Sequence, residues 1–328
     1  MSAESISYFD KCPASYEPYR TTLDEKQLAI AREELNEYDH TREPALAQMR
    51  EFIAKHPQIT FCRTDPVFLL SFLRVRKFNV QASCEMLERW FICRTTCKEF
   101  FMVTDPLKLE PLRKQKIVVP LGPDAQGRLL VTVRVGMYDP MKVQPEEINL
   151  LAALLLDTYQ YVELYQVQGL VLIMDLEGVT LAHLGSWTLP KLKTSMGAIN
   201  DSIKYRPREI HVINVPKYAV KLVDFCVKAL KTKLRDRLQF HKSIDDLKAA
   251  IDESVLPDIY GGKQSLEEAN ERFRQKVLEQ RERILKHAEM TIDLSIPNPN
   301  SKNPANAALQ SSVVDESVIG SFRKLNVD

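Results

Sequence analysis

The chain has 328 residues, with 45 Lys and Arg against 44 Asp and Glu, for a net charge of +1. At 45% hydrophobic and 27% charged the composition fits a soluble globular protein, and at about 150 residues per domain the length suggests two domains. The balanced charge removes the global argument for nucleic-acid binding. The longest apolar runs, Leu150–Leu156 and Leu170–Met174, fall short of the ~20 residues that span a bilayer. The polar N-terminus reads as lacking a secretory signal, and six cysteines without a CxxC pair make no disulfide framework. A cytosolic chain with reduced thiols is the expectation.

Residues 1–21 are polar and read as a loosely ordered leader. Residues 22–105 read as an all-helical domain. Thr22 and Glu25 fit a capping box that starts a helix running to Asp39. Glu43–Lys55 forms a second helix with Pro44 in its first turn, Asp65-Pro66 opens a third, and Val80–Phe101 makes a fourth. Strand patterns begin at Lys116–Pro120 and Arg128–Val135, joined by a Gly- and Pro-containing loop that predicts a hairpin. Pro145–Gln166 reads as a helix stopped by Gly169, and Gly169–Asp175 as a strand covered on both faces. A helix over Thr188–Ile203, a strand over Glu209–Val215, a helix from Pro216 to Leu230 and a short strand at Gln239–His241 follow. This alternation predicts an α/β unit over 106–262 with parallel pairing. Ser265–Ile292 reads as one long charged helix in a segment 263–292, and 293–328 as a disordered tail.

No GxGxxG, GxxxxGK[ST], HExxH or GxSxG motif occurs, and the six histidines are isolated in sequence, so no catalytic residue, metal site or cofactor is expected. Asp175 and Glu177 at the end of a buried strand could be acid and base, but loop-capping carboxylates are the plainer reading. His211 reads as a satisfied sheet histidine rather than a base, and Cys93 with Cys97 as ordinary core thiols rather than a redox pair.

The charge is unevenly spread. Residues 191–242 hold 13 Lys and Arg against 4 Asp and Glu. On a helical wheel from Pro216, Lys217, Lys221, Lys228, Lys231 and Arg235 share one arc, while Leu222, Val223, Phe225, Cys226, Val227 and Leu230 fill the rest. Lys233 and Arg237 break this pattern: either the helix ends near Thr232, or these cations face something negative. Arg206 and Arg208 bracket Pro207 as another cation pair. Convergence of these groups would suit a phosphorylated headgroup. A merely solvated basic face, a membrane-docking surface and a nucleic-acid surface are the other readings of the charge alone; the last would want an aromatic stacking platform, which Tyr205, Tyr218, Phe225 and Phe240 do not obviously form.

The ordered series FLLSFLRVRKFNV (68–80), LIMDLEGV (172–179), YRPREIHVINVP (205–216), KTKLRDRLQFH (231–241) and LPDIYGG (256–262) resembles the CRAL-TRIO lipid-binding family, nearest its tocopherol-transfer and retinaldehyde-binding branch. The resemblance covers residues 25–265. It implies a helical N-terminal domain and a mixed-sheet domain whose apolar cavity is closed by an amphipathic lid. It further implies a phosphoinositide site at Arg76, Arg206, Arg208, Lys233 and Arg237, with Arg206 standing for the branch's lysine. The lid's Lys217, Lys221 and Lys228 would meet the membrane. Implied cavity positions are Asn149, Ala152, Leu156, Leu170, Met174, Ala198, Ile199, Leu222 and Phe225. Ala152 and Leu156 stand where the branch places hydroxyls, which suits a more apolar ligand than tocopherol. The function so implied is a monomeric cytoplasmic carrier that visits membranes without nucleic acid or catalysis. The alternatives are a phospholipid or phosphoinositide exchange protein, or an interaction module using the charged C-terminal helix.

Overall fold

The computed structural model describes residues 9–201 and 203–298. The first helix, α1 (Glu25–Leu35), starts from Asp24, which accepts from Gln27 N at 2.8 Å while its own N–H donates to the Gln27 amide oxygen at 3.1 Å. The cap expected at Thr22 is displaced because Thr22 donates its N–H and hydroxyl to Glu163 instead. Helix α2 runs Asp39–Lys55, so Pro44 lies inside it rather than in the first turn. α3 (Pro66–Val75) begins as expected, with Asp65 accepting from Phe68 N. The fourth helix divides at Cys97 into α4 (Val80–Thr96) and α5 (Lys98–Phe101). The leader is ordered from Phe9: that ring is buried, and Lys11 donates to the His56 and Ile59 carbonyls. Residues 1–8 lie outside the described residues.

After the short α6 (Glu110–Arg113), β1 (Val118–Pro123) and β2 (Leu129–Arg134) form the expected antiparallel hairpin. Then come α7 (Pro145–Tyr159), α8 (Glu163–Gln168), β3 (Leu170–Asp175), α9 (Leu181–Ser186), α10 (Leu189–Asp201) and β4 (Pro207–Ile213). The predicted single helix over Pro145–Gln166 is broken because Glu163 turns inward to bind Arg74, Tyr19 and Thr22. A 3-10 turn at Lys217–Ala219 leads to α11 (Val220–Ala229), α12 (Thr232–Arg235), β5 (Leu238–Phe240) and α13 (Ile244–Ala250). The sheet order is β1-β2-β3-β4-β5, parallel from β2 onward. The long C-terminal helix is two, α14 (Leu266–Glu279) and α15 (Arg281–His287), broken at Gln280. Residues 288–298 turn back onto the N-terminal helices. Ile292 bridges Ile59, and Asp293 N donates to Gln58 O at 2.9 Å. The stretch 293–298 is therefore docked, in contrast to the expected tail; 299–328 lie outside the described residues.

Arg74, fully buried, ties the helical layer to the sheet unit. It bonds Glu37, Glu163, Gln166 and Tyr19 at 2.7–3.1 Å. Breaking such a buried charge network is costly because each group left behind is unpaired in a low dielectric. The sheet itself has two unlike faces. Leu130, Thr132, Val171, Ile173, Asp175, His211 and Ile213 point to the back, where each is at most 1% exposed; Leu247, Leu256, Tyr260 and Ala269 fill the adjoining core. Val133, Leu172 and Met174 point to the front and are only half-buried.

Candidate functional site

Two groups of side chains bear on the sequence expectations, one apolar and one cationic. Register places Leu172 and Met174 beside Val131 and Val133 on one side and Ile210 and Val212 on the other. Buried residues of a central parallel strand normally touch helix on both faces. Here the front is covered unevenly: Val131, Ile210 and Val212 are buried, while Val133, Leu172 and Met174 are half-buried. Helix α7 buries Leu151, Leu154 and Leu155 in its core and leaves Asn149, Ala152 and Leu156 half-buried. Helix α11 buries none of its ten residues; Leu222, Val223, Phe225, Cys226 and Val227 are all half-buried. Of the predicted cavity positions, Leu170 and Ala198 are buried, at 4% and 6% exposure. Met174, Ile199, Leu222 and Phe225 join none of the four packed apolar clusters among the described residues. Asn149 donates to Ser195 Oγ at 2.9 Å, which fixes α7 against α10. Leu156 and Ala198 line a cleft of about 60 Å³. A larger groove of about 690 Å³ lies elsewhere, between α2 and α4 at Phe52, His56 and Cys84, and shares no predicted residue.

Helix α11 is held at both ends. The Tyr218 hydroxyl donates to Val179 O before it, and Asn200 donates to Ala229 O at 3.0 Å while accepting from Lys231 N at 3.0 Å behind it. Leu230 is extended, so the helix stops at Ala229 and Lys231 and Arg235 fall outside the predicted stripe. Of the predicted lid cations, Lys217 and Lys221 are exposed, and Lys228 is exposed and paired with Asp224 at 2.6 Å.

The helix break near Thr232 turns Lys233 and Arg237 toward other cations rather than toward a carboxylate. Lys233 is pushed below the usual lysine range by burial and by Arg237, Lys77, Arg206 and Arg76. Arg206 is lowered by burial and by Arg208 and Arg237. All five predicted headgroup residues are thus brought together. Lys77, which sequence reasoning missed, joins them from a turn where Lys77 and Phe78 are both left-handed (φ 51° and 60°). Such conformations are strained for residues with a Cβ and persist only when held by their surroundings. Phe78 N donates to Leu73 O at 2.8 Å, and Asn36 Nδ2 to Lys77 O at 3.2 Å. The second omission is Glu34 on α1. It accepts from Arg206 at 2.7 Å and from Arg208 at 2.5 Å. Burial pushes its carboxyl up, but those two hydrogen bonds outweigh it and hold the group below its ordinary range. Arg208 also donates to Gln168 O, and Arg237 to Pro207 O. No sequence signal ties Glu34 to Arg206, since the two are far apart along the chain.

The other candidates resolve as structure. Asp175 accepts from Glu177 N, Asn214 and Tyr260, each at 2.9 Å, which is loop and sheet capping. Both nitrogens of buried His211 are engaged, by His241 at 2.8 Å and Glu209 at 3.1 Å. Cys93 is buried and Cys97 half-buried. Among the described residues no cluster of metal-ligating side chains occurs, and no helix is long and apolar enough to cross a membrane.

Residues 113–262, which hold the sheet, the apolar front and all of the cationic group except Arg76 and Lys77, match the CRAL/TRIO domain; Glu34 also lies outside them. The match spans 150 of the chain's 328 residues. The human "Alpha-tocopherol transfer protein-like" is 28% identical over 267 residues, covering 80% of this chain and 77% of that one. Rat Clavesin-2 is 29% identical over 246 residues, covering 73% and 75%. A crystal structure of Sfh5 overlaps 80% of this chain at 11% identity and a TM-score of 0.41. The CRAL/TRIO segment ends at Gly262, so α14 and α15 lie beyond it.

Proposed function

We propose that this chain is a carrier that holds a hydrophobic lipid between the front of the sheet and helices α7, α10 and α11, and delivers it at membranes bearing phosphoinositides. The observation that carries the reading is the unevenly covered sheet front, where Leu172 and Met174 are half-buried on a central strand while Ile173 between them is fully buried. Leaving apolar surface exposed costs about 25 cal/mol per Å², and a ligand covering that front would recover the cost for both partners. The same arithmetic makes a carrier useful, because a free lipid exposing several hundred Å² would leave a bilayer slowly. Lipid transfer as the role of a CRAL/TRIO relative, carried in the printed name of the tocopherol-transfer-like protein, supports a carrier over a catalyst.

In this reading residues 22–105 form the helical domain, 106–262 the lipid-binding domain and 263–292 a C-terminal helical extension. Arg76, Lys77, Arg206, Arg208, Lys233 and Arg237 receive the headgroup phosphates; Glu34 is the anion that Arg206 and Arg208 hold in its place. Helix α11 swings outward once Tyr218 and Asn200 release it, with Lys217, Lys221 and Lys228 toward the bilayer. Each cation near an anionic surface contributes about 1 kcal/mol. The test is transfer of a fluorescent tocol between vesicles with and without a multiply phosphorylated inositol lipid in the acceptor. The double variant Lys233→Ala, Arg237→Ala should lose most of the stimulation, roughly tenfold, while loading from solution stays unchanged. Stimulation equal to the parent's would overturn the headgroup assignment.

A further inference from the structure

Where α4, α7, α10 and the segment leading into β4 meet, the cleft of about 60 Å³ has two unlike walls. Ala153, Leu156, Ala198 and Ile203 supply the apolar wall; Arg94, Lys204 and the Asp157 carboxylate supply the other. Leu156 and Ala198 are also positions of the proposed lipid hollow, so the cleft adjoins it. Neither basic residue belongs to the headgroup cluster.

Arg94 is 3% exposed. Its guanidinium stacks over the Trp90 ring at 4.8 Å, and Nη1 donates to Phe101 O at 3.0 Å and to Asp157 Oδ2 at 3.1 Å. Its Nε and Nη2 are buried and have no hydrogen-bond partner among the described residues. Buried N–H groups without an acceptor are rare and costly, more so on a charged group. These two donors form one edge of the guanidinium fork, the edge that fits both oxygens of a carboxylate.

Lys204 is equally enclosed, at 6% exposure. Its Nζ donates to Gln160 Oε1 at 2.6 Å and sits 4.6–5.2 Å from the ring centroids of Trp90, Phe68 and Phe72. Burial pushes this amine down to about 7; Arg94 and Arg63 act in the same direction, Asp157 and Asp65 oppose them. Arg63 and Asp65 pair with each other at 2.5 Å. Arg94 is paired with Asp157, and an arriving carboxylate would favour the charged form of Lys204, giving the site a second cation.

We propose that this cleft is the polar end of the lipid cavity and takes the carboxylate of a single-chain hydrophobic ligand, a fatty acid or an acidic isoprenoid. Arg94 binds both carboxylate oxygens through Nε and Nη2, and the Lys204 ammonium supplies the second charge. Size agrees with this assignment. The cleft of about 60 Å³ has room for the three atoms of a carboxylate. The proposal rests on the carrier reading above and narrows its cargo.

The test compares the full-length protein's affinity for cis-parinaric acid and for its methyl ester, two fluorescent polyenes that differ at the head alone. The acid should bind at least roughly tenfold more tightly. Lys204→Met, close in volume and without charge, should bring the two probes near parity with the ester's affinity kept. Arg94→Lys, which keeps the charge and loses the fork, should give up part of the preference. Equal binding of acid and ester by the parent protein overturns the carboxylate assignment and leaves the carrier reading standing. An undiminished acid preference in a folded Lys204→Met also overturns the assignment. Binding of neither probe overturns the assignment and the carrier reading together. If Lys204→Met fails to fold, the parent's ratio of acid to ester affinity decides alone.

Discussion

The two faces of strand β3 are built from the same residue types and meet opposite surroundings. Val171 and Ile173 on the back are at most 1% exposed, against a core of Leu247, Leu256, Tyr260 and Ala269. Leu172 and Met174 on the front are half-buried, opposite helices that leave their own apolar side chains half-buried too. A strand alternates its side chains by face, so one uninterrupted apolar run serves a filled back and a less fully covered front at once. The difference lies in what covers each face. Behind the sheet, a buried Tyr260 links Thr132 at 3.0 Å to Asp175 at 2.9 Å and pins the packing. In front, α11 is attached chiefly at its ends.

That contrast can be broken most sharply by matched truncations. Ile173→Ala should cost about 2–5 kcal/mol, the range for emptying a packed core site, read as a fall in the denaturation midpoint. Met174→Ala should cost about 1 kcal/mol or less, because Met174 joins none of the packed apolar clusters among the described residues, and should instead shorten lipid retention. Equal costs for the two would mean that the front is as filled as the back.

A smaller effect comes from His211, which points to the back beside Ile173. Burial lowers its pKa, while Glu209 opposes the shift and His241 and Arg128 reinforce it. The unfolded chain therefore binds a proton here more readily than the folded one. Stability from this group is complete above the unfolded value of about 6.5 and declines as the pH falls below it. In urea titrations at successive pH values, His211→Asn should flatten that decline relative to the parent. An identical pH profile would show that the back face does not exclude the imidazolium.

Much of this was legible beforehand. The hairpin, the parallel strands and the cap at Asp65 follow from periodicity and turn chemistry, and the convergence of Arg76, Arg206, Arg208, Lys233 and Arg237 was expected from a local excess of charge joined to a family resemblance. What failed depended on distant partners. Thr22 satisfies the local pattern of a helix cap, yet Glu163 takes its hydrogen bonds. In the run FLRVRKF, Arg74 and Arg76 are alike as sequence; the fold buries the first in a network with Glu37 and Glu163 and places the second beside Lys233. Lys77 stands next to Arg76 and could have been included on adjacency alone. Glu34 could not, and neither could the pairing of Arg94 with Lys204, because each relation exists only after the helical layer docks on the sheet. Periodicity marks residues that leave water, but does not say whether protein or ligand receives them.

The central claim is that the sheet front opens onto a space meant for lipid, and one substitution probes it directly. Met174→Trp places a larger ring in that space, and its effect can be read as binding of a fluorescent single-chain lipid alongside the thermal midpoint. The account predicts that lipid binding is lost while the midpoint stays within a few degrees of the parent's, since an indole has room there. A midpoint lowered as overpacking a filled core would lower it, by about 1–3 kcal/mol of stability, or lipid binding that survives unchanged, would contradict it.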